Sequence, residues 1–423
     1  MVSEQMEIST YSLIGILFVP VLIMYLVKAL APKNITSSFE GDSGLYNKIE
    51  PLRGVAASLV AISHTFFSYN LTNHGSWQPV NSKIAPISDS VANVIFSFGG
   101  GGVILFFMIT GFLFCDKAIR ANGVIDFKNF YIGRFFRIVP AYTFIALFIL
   151  LVSFLTGYYH YNTPQEYILS IVSWLTFGLS TPMTISSHID KYLIIAGVLW
   201  TLNVEWKFYF LYPLICQFCC RRVALFSLSF LFLMVCGLIY LKFFDGNNGG
   251  IFLSFIAGGF AAITMNCGSD GFRNLLKSNI FALIGIIICL VSLYLQFNVY
   301  SFPSLLGIFM LFLSITQGCS VFGLLNIASI KWLGGISYSL YLSHGVFLFL
   351  FNKIFLNGYG YFVPAASALS FAIVFSVISY YFVERRGITF GKLLTGRKNI
   401  NKIEKQSSSE PSPDAERLSK TDS

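Results

Sequence analysis

Charge is what this sequence has least of. Asp, Glu, Lys and Arg make up 11% of its 423 residues, against roughly 25% in an ordinary soluble domain. A surface that poor in charge excludes a soluble enzyme, a nucleic-acid binder and a disordered scaffold. Histidine is scarce too, at 5 residues. The 8 cysteines are scattered, mostly in apolar runs where Cys acts as a small hydrophobe. Cys216 and Cys219 spell CxxC, but no second CxxC or nearby His completes a zinc set, so no metal is expected. Gly99–Gly102 has no preceding strand and no GK[ST] or GxGxxG pattern, which excludes a nucleotide loop.

What is present in abundance is apolar and aromatic. Hydrophobic residues reach 55%, Phe and Tyr number 45 and 22, and the mean hydropathy is +0.71. A membrane span needs about 20 mainly apolar residues. Eleven segments qualify, near 11–30, 51–70, 91–115, 138–157, 197–218, 224–241, 250–266, 278–297, 302–325, 335–356 and 361–383. The first lacks a basic lead and a small-residue cleavage site, so it reads as a retained anchor. The expected fold is all-α, a polytopic membrane bundle of about eleven helices.

A further apolar stretch, 166–180, is short. If it does not cross and the N-terminus starts outside, most of the 28 Lys and Arg fall in inner loops, as positive-inside bias requires. It is therefore expected to be re-entrant or surface-lying. The organisation expected is an N-terminal helix and connector over 1–48, a membrane domain over 49–390, and a disordered tail over 391–423 that is Ser-, Lys- and Glu-rich.

Titratable residues inside a span are costly and mark function by default. Glu205 is the one acid well inside an expected span, and His64 and His344 are the deep histidines. At about 1.5 Å per helical residue, all three fall near mid-membrane. Arg53 lies eleven residues before His64, about three turns, so the two share a face. Lys207 either neutralises Glu205 or snorkels outward. The loop residues Lys117, Arg120, Lys128, Arg134 and Arg137 give positive-inside charge. Arg134 and Arg137, one turn apart, also suit a phosphate clamp. The four glycines ending at Gly102 allow close backbone approach to a helix or a slim ligand.

Taken together, these motifs resemble the acyltransferase family 3 integral membrane proteins. The resemblance runs from Ile49 to Glu384 through PLRGVAASLVAISH, GVILFFMITGF, FYIGRFFRIVPAY, LWTLNVEWKFYFLYP, LGGISYSLYLSH and Val383-Glu384-Arg385, in order. Ile104 stands where the family often has Asp, Thr110 replaces a Ser, and the 11–30 span adds to the usual ten. Gly41-Asp42-Ser43 resembles the opening block of an SGNH hydrolase but stands alone in a connector.

The resemblance implies acyl transfer, commonly acetyl, from cytoplasmic acyl-CoA as co-substrate to a hydroxyl of a cell-envelope glycan such as lipopolysaccharide or exopolysaccharide. It implies His64 as general base or acyl carrier, with Arg53 orienting donor or imidazole. Glu205 would hold the imidazole tautomer or position the acceptor, and Arg134 and Arg137 would hold CoA phosphates. Ser337, Tyr338, His344, Gly102, Thr110 and Trp200 are expected to support the site. The expected partners are acyl-CoA, the glycan acceptor and membrane lipids, without nucleic acid. The location expected is a bacterial inner membrane, N-terminus outside and C-terminus cytoplasmic. The competing readings are a proton-coupled transporter or flippase using His64, Glu205 and Arg53 as a relay, and acylation of a small metabolite. A phosphate-binding Arg pair is a feature that a relay would not need.

Overall fold

The computed structural model describes residues 8–31, 46–79, 85, 87–157, 163–177, 194, 196–355 and 360–396. Every described segment of regular structure is helical. The helices are α1 (Thr10–Leu30), α2 (Ile49–His74), α3 (Asp89–Arg120), α4 (Phe127–Leu155), α5 (Pro164–Leu175), α6 (Leu199–Phe218), α7 (Ala224–Tyr240) and α8 (Gly246–Cys267). They continue with α9 (Asp270–Leu276), α10 (Asn279–Tyr294), α11 (Phe302–Thr316), α12 (Ala328–Gly335), α13 (Ser337–Ile354), α14 (Phe362–Ser379) and α15 (Arg385–Leu394). A π-helical turn, Tyr380–Glu384, joins the last two.

Local chemistry sets several of the starts. Ser88 accepts from Val91 N–H (3.3 Å) ahead of α3, Asp126 from Asn129 N–H (3.1 Å) ahead of α4, and Ser278 from Phe281 N–H (3.1 Å) ahead of α10. Each satisfies a helix N–H that would otherwise lack a partner in an apolar setting.

All eleven expected spans contain helix. Among the described residues, five helices are long and apolar enough to cross a membrane, or up to seven if the bent pairs α9–α10 and α12–α13 each make one span. α2 and α6 have the length, at 26 and 20 residues, but their polar positions include Arg53, His64, Glu205 and Lys207. Large apolar side chains stand on the outside, among them Phe226 at 77% and Tyr11 at 88% exposed. That surface suits lipid. The chain is a polytopic helical membrane bundle.

α5 has 12 residues, about 18 Å, too short to cross a core of about 30 Å. It packs Ser170, Ser173 and Trp174 inward. Tyr142 of α4 fastens it by donating to the Trp174 carbonyl at 2.8 Å. Residues 178–180 of that stretch, Gly41–Ser43, and the tail from 397 lie outside the described residues. α15 is helical across the expected boundary at 390.

At the centre, α3 packs most extensively on α8 and on α2. Gly102 makes the second contact possible, since a Cβ there would come 2.5 Å from the Ala56 carbonyl oxygen of α2. A similar crossing joins α2 to α12: a Cβ on Gly54 would lie 2.5 Å from the Gly334 nitrogen. α12 then meets α13 at a bend of 80°, which brings Tyr338 and Tyr341 beside α2 and α3.

The basic connectors meet at one end of the bundle. Lys48 donates to Asn326, Tyr46 to Asp116, and Arg120 Nε to Asp116 at 2.8 Å. Asn266 adds a bond to Asp116 at 2.7 Å. Burial, and then the Asp116 carboxylate, push the Tyr46 phenol up to about 12, so it remains a donor through the physiological range.

Candidate active site

Two cavities lie next to each other in the bundle. The first holds about 750 Å³ of empty space and is lined by Arg53, Arg134, Arg137, Glu205, Thr110 and Tyr338, among others. Arg134 is held by rings, its guanidinium 5.1 Å from the centroid of Phe114 and 5.9 Å from those of Phe130 and Tyr209. Flat aromatic faces attract a guanidinium and fix its plane. Tyr209 donates to the Glu205 carboxylate one turn away on α6. The Arg53 guanidinium is within electrostatic reach of Arg137, Glu205 and Glu384. Its Nε is buried and has no hydrogen-bond partner among the described residues. A buried N–H left open beside a cavity is ready for an acceptor atom from a ligand. Three arginines around one carboxylate make this cavity attractive to a polyanion.

The second cavity, with about 840 Å³ of empty space, is lined by His64 and a set of aromatic and small residues. Val103 and Tyr341 line both cavities, and form a shared wall. Tyr341 is held there by bonds to Thr201 Oγ1 at 2.8 Å and the Val198 carbonyl at 3.4 Å.

The two deep histidines touch. His64 Nδ1 lies 2.9 Å from His344 Nε2, with ring centroids 5.2 Å apart. His344 Nδ1 is 3.0 Å from the Leu340 carbonyl, which only accepts, so that nitrogen carries the proton. With both rings neutral, His344 Nε2 is then an acceptor and His64 Nδ1–H donates to it. Among the described residues His64 Nε2 meets no hydrogen-bond partner, which leaves it as the basic nitrogen. On its other side His64 meets Trp77, centroids 5.8 Å apart. Trp77 reaches this position because Gly75 ends α2 in the left-handed region, at φ 69°, which suits glycine.

The structure thus divides the residues singled out from sequence into two groups. Arg53, Arg134, Arg137, Glu205, Thr110 and Tyr338 share the first cavity. His64 and Trp200 line the second, with His344 buried behind His64. His344 holds the His64 tautomer, while Glu205 pairs with Tyr209 in the other cavity. Arg53 and His64 share helix α2 but line different cavities. Thr110 turns its hydroxyl back to the Phe106 carbonyl at 3.0 Å. Ser337 is buried at the start of α13 and lines neither cavity; Gly102 serves the α2–α3 contact. Lys207 is exposed on the far side of α6.

Sequence reasoning passed over Tyr341, Trp77 and Tyr209. A Tyr four residues from a membrane carboxylate is a usable signal for Tyr209. Tyr341, one turn before His344, had a similar one; Trp77 had none. Glu384, seen only as a motif end, is buried and accepts from Ser339 Oγ at 2.9 Å.

The fold and site therefore define a helical membrane protein with an arginine-lined cavity next to a buried histidine pair. Comparison with known proteins narrows this. A family model described as an acyltransferase domain matches residues 46–381, most of the chain, and the chain belongs to that family. It is 31% identical over 193 residues to nodulation protein 10 of Rhizobium leguminosarum bv. viciae, 43% of this chain and 47% of that protein. The chain thus spans about half the length of that relative. No solved structure matches.

Proposed function

We propose that the protein is a membrane O-acyltransferase that moves an acyl group, most simply acetyl, from acyl-CoA to a hydroxyl of a cell-envelope glycan. The observation that carries this reading is the pair of adjoining cavities. One is cationic and suits the phosphates of CoA, the other presents a free imidazole nitrogen, and one wall separates them. The basic end then faces the cytoplasm of a bacterial inner membrane, where CoA is found, with the N-terminus outside and the C-terminus inside. Acceptors of the lipopolysaccharide or exopolysaccharide kind fit this arrangement.

In this mechanism His64 Nε2 takes the proton of the acceptor hydroxyl. The oxygen attacks the thioester carbonyl carbon, the C–S bond breaks, and the CoA thiolate leaves and recovers the proton from the imidazolium. His344 keeps Nε2 free and stabilises the imidazolium through the Nδ1 bond. Arg134 and Arg137 bind donor phosphates, and Arg53 Nε offers a hydrogen bond to the donor.

Purified protein supplied with acetyl-CoA should release CoA, and His64→Ala should abolish transfer while expression and detergent stability stay near normal. Transfer above about a tenth of normal in His64→Ala would refute the catalytic role. A relay reading instead expects substrate-dependent proton movement and no cleavage of acetyl-CoA.

A further inference from the structure

We propose that the histidine cavity is the acceptor site and that it selects an uncharged, hydroxylated ring. The proposal rests on the acyltransferase reading and deepens it. No Asp, Glu, Lys or Arg is found among the described residues that line this cavity. Its walls carry Trp77, Trp200, Tyr300, Phe67, Phe96 and Tyr341. The contrast with the arginine cavity across the shared wall is sharp.

Two physical consequences follow. A charged acceptor entering the histidine cavity loses water and gains no counter-charge from the described residues, which is strongly unfavourable. A pyranose loses little, because its C–H faces carry slight positive charge and settle on the negative faces of aromatic rings. Its hydroxyls then meet neutral groups: the Tyr300 phenol, the indole N–H groups, and His64 Nε2. The cavity is also within the usual size of a small-molecule site.

The wall is built to stay in place. Trp77 is braced by Phe67, centroids 5.6 Å apart, as well as by His64. The chain behind it is tied by Asn70 Nδ2, which donates to the Gln78 carbonyl at 2.9 Å. Tyr300 reaches the cavity because α3 is glycine at position 100, where a Cβ would come 2.5 Å from Val299 Cγ1. A rigid aromatic wall loses little entropy on binding.

The test uses protein in lipid nanodiscs with acetyl-CoA and probes on one frame. These are phenyl β-D-glucoside, its 2-O- and 6-O-monosulfates, and its 2-amino and 6-amino analogues, with acylated product read by mass spectrometry. Charge is placed at two positions so that whichever hydroxyl reacts survives in one analogue of each sign. The neutral glucoside should exceed every charged analogue in kcat/KM by about tenfold or more. Trp77→Ala should raise the glucoside KM by about tenfold, Trp77→Phe much less because a stacking face remains, and both should bind CoA as tightly as the parent.

Equal use of charged and neutral probes would overturn the proposal. So would absence of product on the glucoside from protein that still cleaves acetyl-CoA, or a Trp77→Ala protein with an unchanged KM. Protein that neither binds CoA nor cleaves acetyl-CoA would instead remove the acyltransferase reading and this proposal with it.

Discussion

Arg134 is held by three aromatic faces, and one of them, Tyr209, donates its own hydroxyl proton to Glu205. A lysine there keeps the charge but loses the planar fork and the stacking. Arg134→Lys should therefore leave donor KM raised by about tenfold, with kcat changed much less. Replacing Arg134 and Arg137 together with Gln should raise KM further and flatten its dependence on salt, since the screened charges are gone. Normal donor affinity in correctly inserted double variant would show that these arginines serve insertion only.

His344 makes a different prediction, because it acts through His64. His344→Ala should lower kcat about a hundredfold and shift the pH profile, with CoA affinity unchanged, as expected when a general base loses its orienting partner. His344→Gln should recover part of the rate, because its amide oxygen can accept from His64 Nδ1–H. A merely structural His344 would give low protein yield with normal specific kcat. At this scale the sequence displayed the rare ionisable residues well, since each stands out against an apolar background. It hid their pairing. His64 and His344 are separated by 280 residues, and nothing local to either states which will touch the other.

Among the elements, the α12–α13 corner decides where Tyr338 and Tyr341 sit. Hydropathy reads one continuous span from 335, whereas the chain bends by 80° just before it. The pair Gly334-Gly335 is the only local hint, and it reports close packing as much as a bend. Gly54 and Gly334 sit at one tight crossing with no room for a methyl group on either: a Cβ on Gly54 would strike the Gly334 nitrogen, and one on Gly334 the Glu50 carbonyl. Gly54→Ala should force α2 and α12 apart, at a cost of about 1–3 kcal/mol, seen as a lower Tm in detergent. Because Arg53 is the adjacent residue, the same change should also weaken CoA binding. An unchanged Tm would mean that the two helices do not cross at this contact. The amphipathic α5 was legible by contrast: its length rules out crossing, and the distribution of charge along the chain leaves no consistent orientation if it does cross.

Over the whole molecule, contacts made by basic side chains gather at one end. There Lys48 ahead of α2 bonds Asn326 ahead of α12, Arg120 bonds Asp116 at the end of α3, Arg273 of α9 reaches Gln317 past the end of α11, and Lys277 lies beside Gly318. The opposite end is poorer in cations: Asn93 Nδ2 donates to the Leu293 carbonyl at 2.7 Å, and Lys353 to the Thr156 carbonyl at 3.5 Å. Lys and Arg resist translocation, so the tied basic end should stay cytoplasmic. Gly123 lies at that end, near Cys216 and Cys220, while Asn73 closes the far end of α2. An epitope inserted after Asn73 should be reached by antibody on intact spheroplasts, and one inserted after Gly123 only after the membrane is permeabilised. The opposite result would place the arginine cavity on the side without CoA and refute the proposed donor route. Agreement would fix more than topology. The arginine cavity holds Arg134 and Arg137 near the start of α4, and the histidine cavity lies beyond Tyr341 and Val103, so under the proposed reading an acyl group passing this wall would also move outward through the bundle.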